Sequence, residues 1–218
     1  MSKKNNKCMT NIHGKRIIDT SLDNAATYTN EIIIVVGYYG EQIRNYVGKK
    51  WKGASVKYVI QEKQKGLLNA IKCAQNSIEG EDFLLFLGDE IIVKSHHDWM
   101  IDAFYSNNAF AVCGLSFELN SERIKKTYCV HMCNGLINKL EEKPLRPKTN
   151  WMGTGNCIFN NRFFDYMQVG DEDCDKSFPD ILQIAINRGE KVYGTVFCEK
   201  YYNINTREDY LEYMEEAL

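Results

Sequence analysis

The sequence lacks any apolar run long enough to cross a membrane. Its longest runs, residues 32–36 and 83–87, are of strand length, whereas a membrane span needs roughly 18 to 20 apolar residues. Residues 1–7 are basic but contain no apolar core of the kind that a secretory signal requires. The eight cysteines include no Cys-x-x-Cys pair, which fits reduced thiols in the cytosol better than a disulfide framework. We therefore expect a cytoplasmic protein with no membrane partner.

The chain also lacks an excess of charge of either sign, because 27 Lys and Arg residues oppose 29 Asp and Glu residues, for a net charge of −2. Without a net positive field, no nucleic-acid partner is expected. No internal repeat, linker or low-complexity tract interrupts the 218 residues, and 44% of them are apolar. This composition predicts a single folded domain over residues 1–218.

Residues 32–36 form a continuous apolar and β-branched run, which is typical of a strand covered on both faces in a parallel sheet. Gly37 ends this run. The patterns that follow alternate between helix and strand: helix 40–47, strand 56–60, helix 67–77 and strand 83–87. Such alternation is typical of right-handed crossovers and predicts an α/β fold with a doubly wound sheet.

After Asp89 the pattern changes to a helix near residues 97–107 and three strand-like runs. The second and third runs are joined at Asn134-Gly135, a strong hairpin signal because both residues accept positive φ. The last third of the chain returns to an α/β pattern. The predicted elements are strands at 110–117, 127–132, 136–142, up to Asn160 and at 191–197, with helices at 161–167, 179–188 and after Thr206.

Gly88-Asp89 follows the apolar run 83–87, at a strand end of the kind where ligands bind in open α/β sheets. A carboxylate in this position is a good ligand for a hard cation such as Mg²⁺. Asn203, further along the chain, offers a second oxygen. Taken singly, an aspartate in a turn or helix cap and an asparagine in a turn are the favoured explanations of these residues.

Two further segments carry candidate binding residues. Gln61 and Gly66 bound a loop that leads from a strand into a helix, where a glycine lets a ligand approach the backbone and the helix start offers free N–H groups. Glu142-Lys143-Pro144 ends the second hairpin strand, where a carboxylate could accept sugar hydroxyls and an ammonium could face phosphate. A solvated charge cluster is the alternative for the second segment.

Cys129, His131 and Cys133 alternate along one predicted strand and therefore point to one face, so a zinc site is one interpretation. Three ligands crowded on one short strand, with no fourth nearby in sequence, favour ordinary packing instead. Three glycines are expected to serve turns or close packing, namely Gly153, Gly155 and Gly170.

Taken together, these segments resemble the sugar-1-phosphate nucleotidyltransferases, most closely the glucose-1-phosphate thymidylyltransferase type. The matching motifs follow the family's order along nearly the whole chain. They are Lys7 with Gly14-Lys15, residues 32–38, Gln61-x4-Gly66-Leu-Leu-Asn-Ala70, Leu87-Gly88-Asp89, Leu140-Glu-Glu-Lys-Pro144 with Lys148, residues 155–159, and Asn203-Ile-Asn-Thr206 with Glu208-Asp209-Tyr210. Their order and spacing, rather than any single motif, carry the resemblance.

The resemblance implies a Rossmann-like three-layer nucleotidyltransferase fold of the GT-A type with a mostly parallel mixed sheet. It also implies that the phosphate of a sugar 1-phosphate attacks the α-phosphorus of a nucleoside triphosphate, with Mg²⁺ as cofactor and pyrophosphate as leaving group. The attacking oxygen is already anionic, so positioning and charge neutralisation suffice and no general base is needed.

The roles of individual residues follow from the same resemblance, position by position. Lys7, Asp89 and Lys143 would be catalytic, and Asp89 and Asn203 would hold the metal. Gln61, Gly66 and Gly88 would bind the nucleotide. Glu142, Lys143 and Gly155 would bind the sugar phosphate.

The sequence departs from the family pattern in two places. Asn203 stands where the family usually has an aspartate, which removes one charge from the metal site but keeps an oxygen. The family's N-terminal strand and glycine-rich loop with an arginine are also missing, since residues 1–6 contain no apolar run and no glycine. In relatives this strand lies in the middle of the sheet, so without it the neighbouring strands would keep unpaired N–H and C=O groups.

Three hypotheses of function follow. The first is a nucleotidyltransferase that acts on a sugar 1-phosphate. The second is a catalytically weak nucleotide- or sugar-phosphate-binding subunit that works by association with an active relative. Alternatively, the chain is a truncated fragment, or it completes its sheet with another segment or subunit, for example as a homo-oligomer. The third keeps the reaction but takes phosphocholine as acceptor, and the Glu142-Lys143-Pro144 pattern argues mildly against it.

Overall fold

The computed structural model describes residues 6–78, 80–167 and 176–216, so Gly170 lies outside the described residues. In this part of the chain, the helices are α1 (Ile17–Tyr28), α2 (Gly40–Val47), α3 (Gly66–Ile78), α4 (His97–Ser106), α5 (Ser121–Ile124), α6 (Phe163–Met167), α7 (Phe178–Asn187) and α8 (Arg207–Glu216). None of them is long and apolar enough to traverse a bilayer.

The strands described are β1 (Asn11–Ile12), β2 (Lys15–Arg16), β3 (Glu31–Val36), β4 (Lys50–Trp51), β5 (Ala54–Ile60), β6 (Phe83–Leu85), β7 (Glu90–Ser95), β8 (Ala111–Phe117), β9 (Tyr128–Cys133), β10 (Leu136–Glu142), β11 (Trp151–Phe159), β12 (Val192–Val196) and β13 (Cys198–Asn203). The predicted bounds of α2 and β10 agree with the structure at both ends. Helix α1 and strands β7 and β13 were not predicted, because polar residues interrupt the apolar pattern of each.

The described strands form mixed sheets. The largest has the order β6-β11-β8-β12-β10-β9, and a second has the order β3-β5-β4. Strands β7 and β13 pair separately, as do β1 and β2. The α/β class is confirmed, with β3–β5 and β8–β12 as parallel pairs. The other described pairs are antiparallel, because a hairpin joins β9 to β10 and β11 runs back between β6 and β8.

A channel separates strand β3 from strand β6. Its volume is about 740 Å³, and its walls include Ile32, Ile34, Leu84 and Leu85 from these two strands. Apolar side chains of α1 and α3 line the remaining sides. In the described structure β3 pairs only with β5, and β6 pairs only with β11. The predicted gap in the sheet, with an unpaired strand edge on either side, is therefore present.

Aromatic packing forms much of the core beneath the six-stranded sheet. Phe159 and Phe163 are fully buried, with ring centroids 4.4 Å apart, and Phe83 lies 5.2 Å from Phe159. Helix α7 covers this cluster and begins with a capping box, in which Ser177 and Asp180 each accept a hydrogen bond from the other's backbone N–H. This core fixes β6 and β11, and through them the segment that carries Asp89.

Candidate active site

Four polar residues meet where β6 runs on toward β7. The Lys7 ammonium pairs with Asp89 Oδ2 and also donates a hydrogen bond to Asn205 Oδ1. The Asn205 amide in turn donates to Asn203 Oδ1 at 2.7 Å. Lys7, Asp89, Asn203 and Asn205 thus form one connected cluster, although Lys7 and Asn205 are 198 positions apart in the chain. Within this cluster, the oxygens of Asp89 and Asn205 already face a common cation.

Strand pairing and a helix cap hold Asn203 and Asn205 in place. Asn203 lies opposite Glu90 in the β7–β13 pair, and Ile204 N–H donates to the Asp89 carbonyl at 2.9 Å. Asp209 Oδ2 accepts the backbone N–H groups of Asn205 and Thr206 at 3.0 and 2.8 Å. The loop between β13 and α8 is therefore rigidly connected to both neighbouring elements.

The charge of Asp209 is stabilised by the groups around it. Burial alone would raise the pKa of this carboxyl, but a hydrogen bond from Lys126 and the backbone hydrogen bonds outweigh that effect and lower its pKa. The Lys126 ammonium lies 2.8 Å from Asp209 Oδ1. An ionised Asp209 at the start of α8 also interacts favourably with the helix dipole, which supports the geometry of Asn203 and Asn205.

Glu90, the residue after Asp89, is fully buried and connects three strands. Its carboxylate accepts hydrogen bonds from Tyr201 OH at 2.5 Å, Asn156 Nδ2 at 2.7 Å and Gly155 N–H at 2.9 Å. Burial raises the pKa of Glu90 to about 8, against an ordinary value of 4.5, despite the opposing effect of the Tyr201 hydrogen bond. Because Glu90 joins β7 to β11 and β13, it determines where the Asp89 backbone lies.

The predicted nucleotide-binding residues lie on two segments. Gln61 Nε2 donates to the Gly66 carbonyl at 3.0 Å and to Asn69 Oδ1 at 2.9 Å, so it closes the loop that begins α3. Gly66 has φ +82°, a conformation that glycine adopts without strain. Gly88 lies against Cys8 and Ile18, where an added Cβ would approach Cys8 Sγ to 3.3 Å.

The sulfur beside Asp89 belongs to Cys8. Burial, and secondly the charge of Asp89, raise the pKa of this thiol to about 12. Cys8 is therefore a neutral packing group and not a nucleophile.

The predicted sugar-phosphate residues lie at the end of β10. Lys143 Nζ is 3.9 Å from Glu142 Oε1, and Lys143 N–H donates to the Thr127 carbonyl at 2.6 Å. Thr127 also lines a small pocket of about 50 Å³ together with Asn203 and Asn205. Through its contacts with both, Thr127 lies between the end of β10 and the asparagines of the Asp89 cluster. Burial raises the pKa of Glu142, and the charge of Lys143 opposes this shift.

Gly155 is placed in the interior. A Cβ at this position would lie 2.3 Å from Leu87 Cγ and 2.7 Å from Glu90 Oε1. Its N–H donates to Glu90. Gly155 thus allows β11 to approach the segment that carries Asp89. In the structure its backbone N–H is occupied by the hydrogen bond to the Glu90 carboxyl.

Two residues of the site were not identified from the sequence. Asn205 contacts the Lys7 ammonium directly, whereas the predicted Asn203 is reached through Asn205. The alternation Asn203-Ile204-Asn205, with its buried middle residue, was a usable signal for two amides on one face. Glu90 gave only a weak signal, because a carboxylate beside Asp89 looks like part of a solvated turn until its burial is known.

The donor set fits a hard divalent cation. Asp89 supplies a carboxylate, Asn203 and Asn205 supply amide oxygens, and the ammonium of Lys7 shows that the oxygens of Asp89 and Asn205 converge on one positive charge. Mg²⁺ is commonly held by one or two carboxylates together with substrate phosphates and water. Asp89 and the two asparagines would therefore hold such an ion, with the remaining ligands from substrate.

Comparison with known proteins supports the class of protein that this fold and site define. The family model described as nucleotidyl transferase matches residues 1–218. The UTP–glucose-1-phosphate uridylyltransferase AglF of Haloferax volcanii is 31% identical over 166 residues, which are 72% of this chain and 65% of AglF. The bifunctional protein GlmU of Methanococcus maripaludis (strain C7) is 30% identical over 192 residues, 86% of this chain and 43% of GlmU. The chain thus spans about two thirds or less of these relatives.

Solved structures show the same fold at lower identity. A Bacillus anthracis structure assigned as a glucose-1-phosphate thymidylyltransferase, with sucrose bound, has a TM-score of 0.89 at 18% identity, covering 99% of this chain and 88% of its own. A UDP-glucose pyrophosphorylase complexed with UDP-glucose has a TM-score of 0.83 at 19% identity, covering 97% and 89%. The chain belongs to the nucleotidyl transferase family, and its resemblance to the sugar-1-phosphate nucleotidyltransferases is confirmed.

Proposed function

We propose that this protein transfers a nucleotidyl group from a nucleoside triphosphate to a sugar 1-phosphate, giving a nucleotide sugar and pyrophosphate. The observation that carries the proposal is the cluster of Lys7, Asp89, Asn203 and Asn205, in which the oxygens of Asp89 and Asn205 converge on one cation and Asn203 accepts from the Asn205 amide. The named substrates of the similar proteins support this reaction class, since AglF is a uridylyltransferase for glucose 1-phosphate.

The chain's own residues would position the reactants and neutralise charge. Bound Mg²⁺ would supply electrostatic stabilisation of the triphosphate. Lys7 would move from Asp89 to a phosphate oxygen, since its side chain is 40% exposed. Gln61 and Gly66 would contact the base at the start of α3, and Glu142 would accept sugar hydroxyls. Lys143, 67% exposed, would face the sugar phosphate.

A direct test measures Mg²⁺-dependent nucleotide binding to Asp89→Asn. The substitution keeps the shape of the side chain but removes its charge. A hydrogen bond to a charged group contributes about 1.5 to 3 kcal/mol. We therefore expect nucleotide binding to weaken at least tenfold. Asp102→Asn, an exposed position on α4, is the matched control and should bind as the parent does. Unchanged binding by Asp89→Asn, with circular dichroism as in the parent, would show that Asp89 is structural.

The second candidate is a nucleotide- or sugar-phosphate-binding subunit with little turnover, and the open channel between β3 and β6 favours it. Pyrophosphate release distinguishes the two. The assay would supply glucose 1-phosphate or phosphocholine with each nucleoside triphosphate in Mg²⁺. Release with a sugar 1-phosphate supports the transferase, and release with phosphocholine alone would change the acceptor. Mg²⁺-dependent binding without release would support the subunit.

A further inference from the structure

Three side chains with metal-ligating atoms cluster on the β9–β10 hairpin, which carries none of the residues of the Asp89 cluster. Cys129, His131 and Glu141 each offer a ligand atom, and these atoms all lie within 4.8 Å of one another. Cys129 Sγ is 3.8 Å from Glu141 Oε2, and His131 Nε2 is 3.8 Å from Glu141 Oε1. The cysteine is buried, and the other two side chains are about three-quarters buried.

The backbone builds this cluster through an irregularity in strand pairing. Residues 129 and 131 point to one face of β9, as alternate residues of a strand do. A bulge between Ile137 and Lys139 shifts the β10 register, so that Glu141 lies opposite Cys129 and Lys139 lies opposite His131. Regular pairing beyond the turn would have placed Leu140 opposite Cys129. The carboxylate therefore joins the cysteine and histidine because of the bulge.

The ligand atoms are somewhat further apart than in a tetrahedral metal centre. With Zn–S near 2.3 Å and Zn–N and Zn–O near 2.0 to 2.2 Å, tetrahedral angles put neighbouring ligand atoms about 3.4 to 3.6 Å apart. The 3.8 Å separations of Cys129 and His131 run to different oxygens of Glu141. One atom from each residue lies within 4.8 Å of the others, so a bound ion would draw the atoms together by up to about 1.4 Å. A thiolate, an imidazole and a carboxylate together favour a borderline-soft ion over Mg²⁺. We propose that Cys129, His131 and Glu141 bind Zn²⁺, with water as the fourth ligand.

The groups around the cluster are consistent with a cation at this place. The Lys139 ammonium pairs with Glu141, and the Lys139 side chain is 53% exposed. A metal ion could displace this ammonium from Glu141 with little loss of free energy, because exposed ion pairs are weak. His131 Nε2 is buried without a hydrogen-bond partner among the described residues. Burial raises the pKa of the Cys129 thiol, and a backbone hydrogen bond from Lys148 opposes this shift.

A metal here would link β9 to the end of β10 that carries Glu142 and Lys143. Glu141 and Glu142 are adjacent and point to opposite faces of the strand. Fixing Glu141 therefore restricts the backbone that presents Glu142. This role is structural and independent of the proposed reaction, so it can hold or fail whatever the chain catalyses.

The test titrates the full chain, treated with chelator, with Co²⁺ as a spectroscopic substitute for Zn²⁺. Thiolate ligation gives an intense sulfur-to-cobalt absorption band in the near ultraviolet, which oxygen ligands at Asp89 cannot produce. Cys129→Ser should lose the band, while Cys133→Ser, an exposed thiol on the same strand, should keep it. Added Zn²⁺ should abolish the band by displacing cobalt.

Two variants on β10 keep the test valid if Cys129→Ser fails to fold. Glu141→Gln should weaken cobalt binding at least tenfold. Lys139→Gln removes the competing ammonium and should tighten binding about two- to fivefold. The proposal is overturned if no thiolate band forms, if the band survives in folded Cys129→Ser, or if neither Glu141→Gln nor Lys139→Gln changes the affinity.

Discussion

At the scale of single residues, Glu90 shows how a buried acid supports the site without contacting substrate. Three donors from β11 and β13 converge on its carboxylate. An interior carboxylate of this kind is costly to leave unpaired, so its partners specify one arrangement of the strands. Asp89 takes its position from that arrangement.

Glu90 predicts a pH dependence of stability. Its pKa in the folded protein, about 8, is raised above the ordinary value of 4.5. The folded state therefore holds a proton that the unfolded state has lost between these values. Stability from this group is fully present below about pH 4.5 and declines as the pH rises toward 8, by up to about 1.4 kcal/mol per pH unit.

Urea denaturation at pH values from about 5 to 8.5 measures this effect. Glu90→Gln cannot titrate and should show a much flatter profile over the same range. Glu122→Gln, on the exposed surface of α5, is the control and should keep the parental slope. A parental slope in Glu90→Gln would assign the pH dependence to other groups.

Glu142 gives a second prediction at this scale, which rests on the proposed function. Glu142→Ala should weaken binding of glucose 1-phosphate about tenfold or more, because a hydrogen bond to a charged group is lost. Nucleotide affinity should stay within about twofold. Separate calorimetric titrations of the two ligands provide the measurement. Weaker nucleotide binding with unaltered sugar-phosphate binding would contradict the assignment.

At the scale of secondary-structure elements, close packing of β11 on β9 depends on Gly153. A Cβ at this position would lie 1.9 Å from Cζ of Tyr128, whose ring is fully buried. Tyr128 OH also donates to the Thr154 carbonyl at 3.2 Å, so the ring has little freedom to move. The glycine therefore permits the contact between these two strands.

Gly153→Ala should lower the free energy of unfolding by about 1 to 3 kcal/mol or more, as overpacking of a core does. The matched control is Gly37→Ala, where the added Cβ meets only the end of the flexible Gln64 side chain at 2.9 Å. The free energy of unfolding of Gly37→Ala should fall by clearly less than that of Gly153→Ala. Chemical denaturation gives the free energy of unfolding of both variants. Equal decreases would mean that the β9–β11 contact rearranges at little cost to make room for the added methyl group.

At the scale of the whole molecule, the channel between β3 and β6 dominates the expected behaviour. Unpaired strand edges and apolar walls promote association with other chains. Losing even one preorganised donor from an active site can lower the rate by about 10²- to 10³-fold. In the described structure β6, which leads to Gly88-Asp89, is paired on one side only, so the backbone beside the candidate site is less firmly held.

We therefore expect the 218-residue polypeptide to self-associate and to turn over slowly. Light scattering would report the mass, and pyrophosphate release with glucose 1-phosphate and each nucleoside triphosphate would report the rate. Cleft residues such as Asp89 should still give measurable nucleotide affinity. Rapid turnover by a monomer would contradict this expectation and show that other residues provide the phosphate-binding donors.

Much of the architecture followed from local sequence signals. The apolar run at residues 32–36, the Asn134-Gly135 turn and the alternating helix and strand patterns are short-range features, so they predicted β3, the β9–β10 hairpin and α3 with small errors at their ends. Asn134 and Gly135 indeed have φ of 49° and 79°. Asp89 could be identified as a candidate because it follows the apolar run 83–87, although β6 itself ends at Leu85.

Only the tertiary structure decided the partners of these residues. The contact of Lys7 with Asn205, the burial of Glu90 and the register shift that brings Glu141 to Cys129 each depend on segments distant in the chain or on backbone irregularities. Sequence periodicity records which face of an element is apolar, but not which element covers it. The sequence by itself determined many of the elements, the family and most of the candidate residues, and packing determined which of them meet.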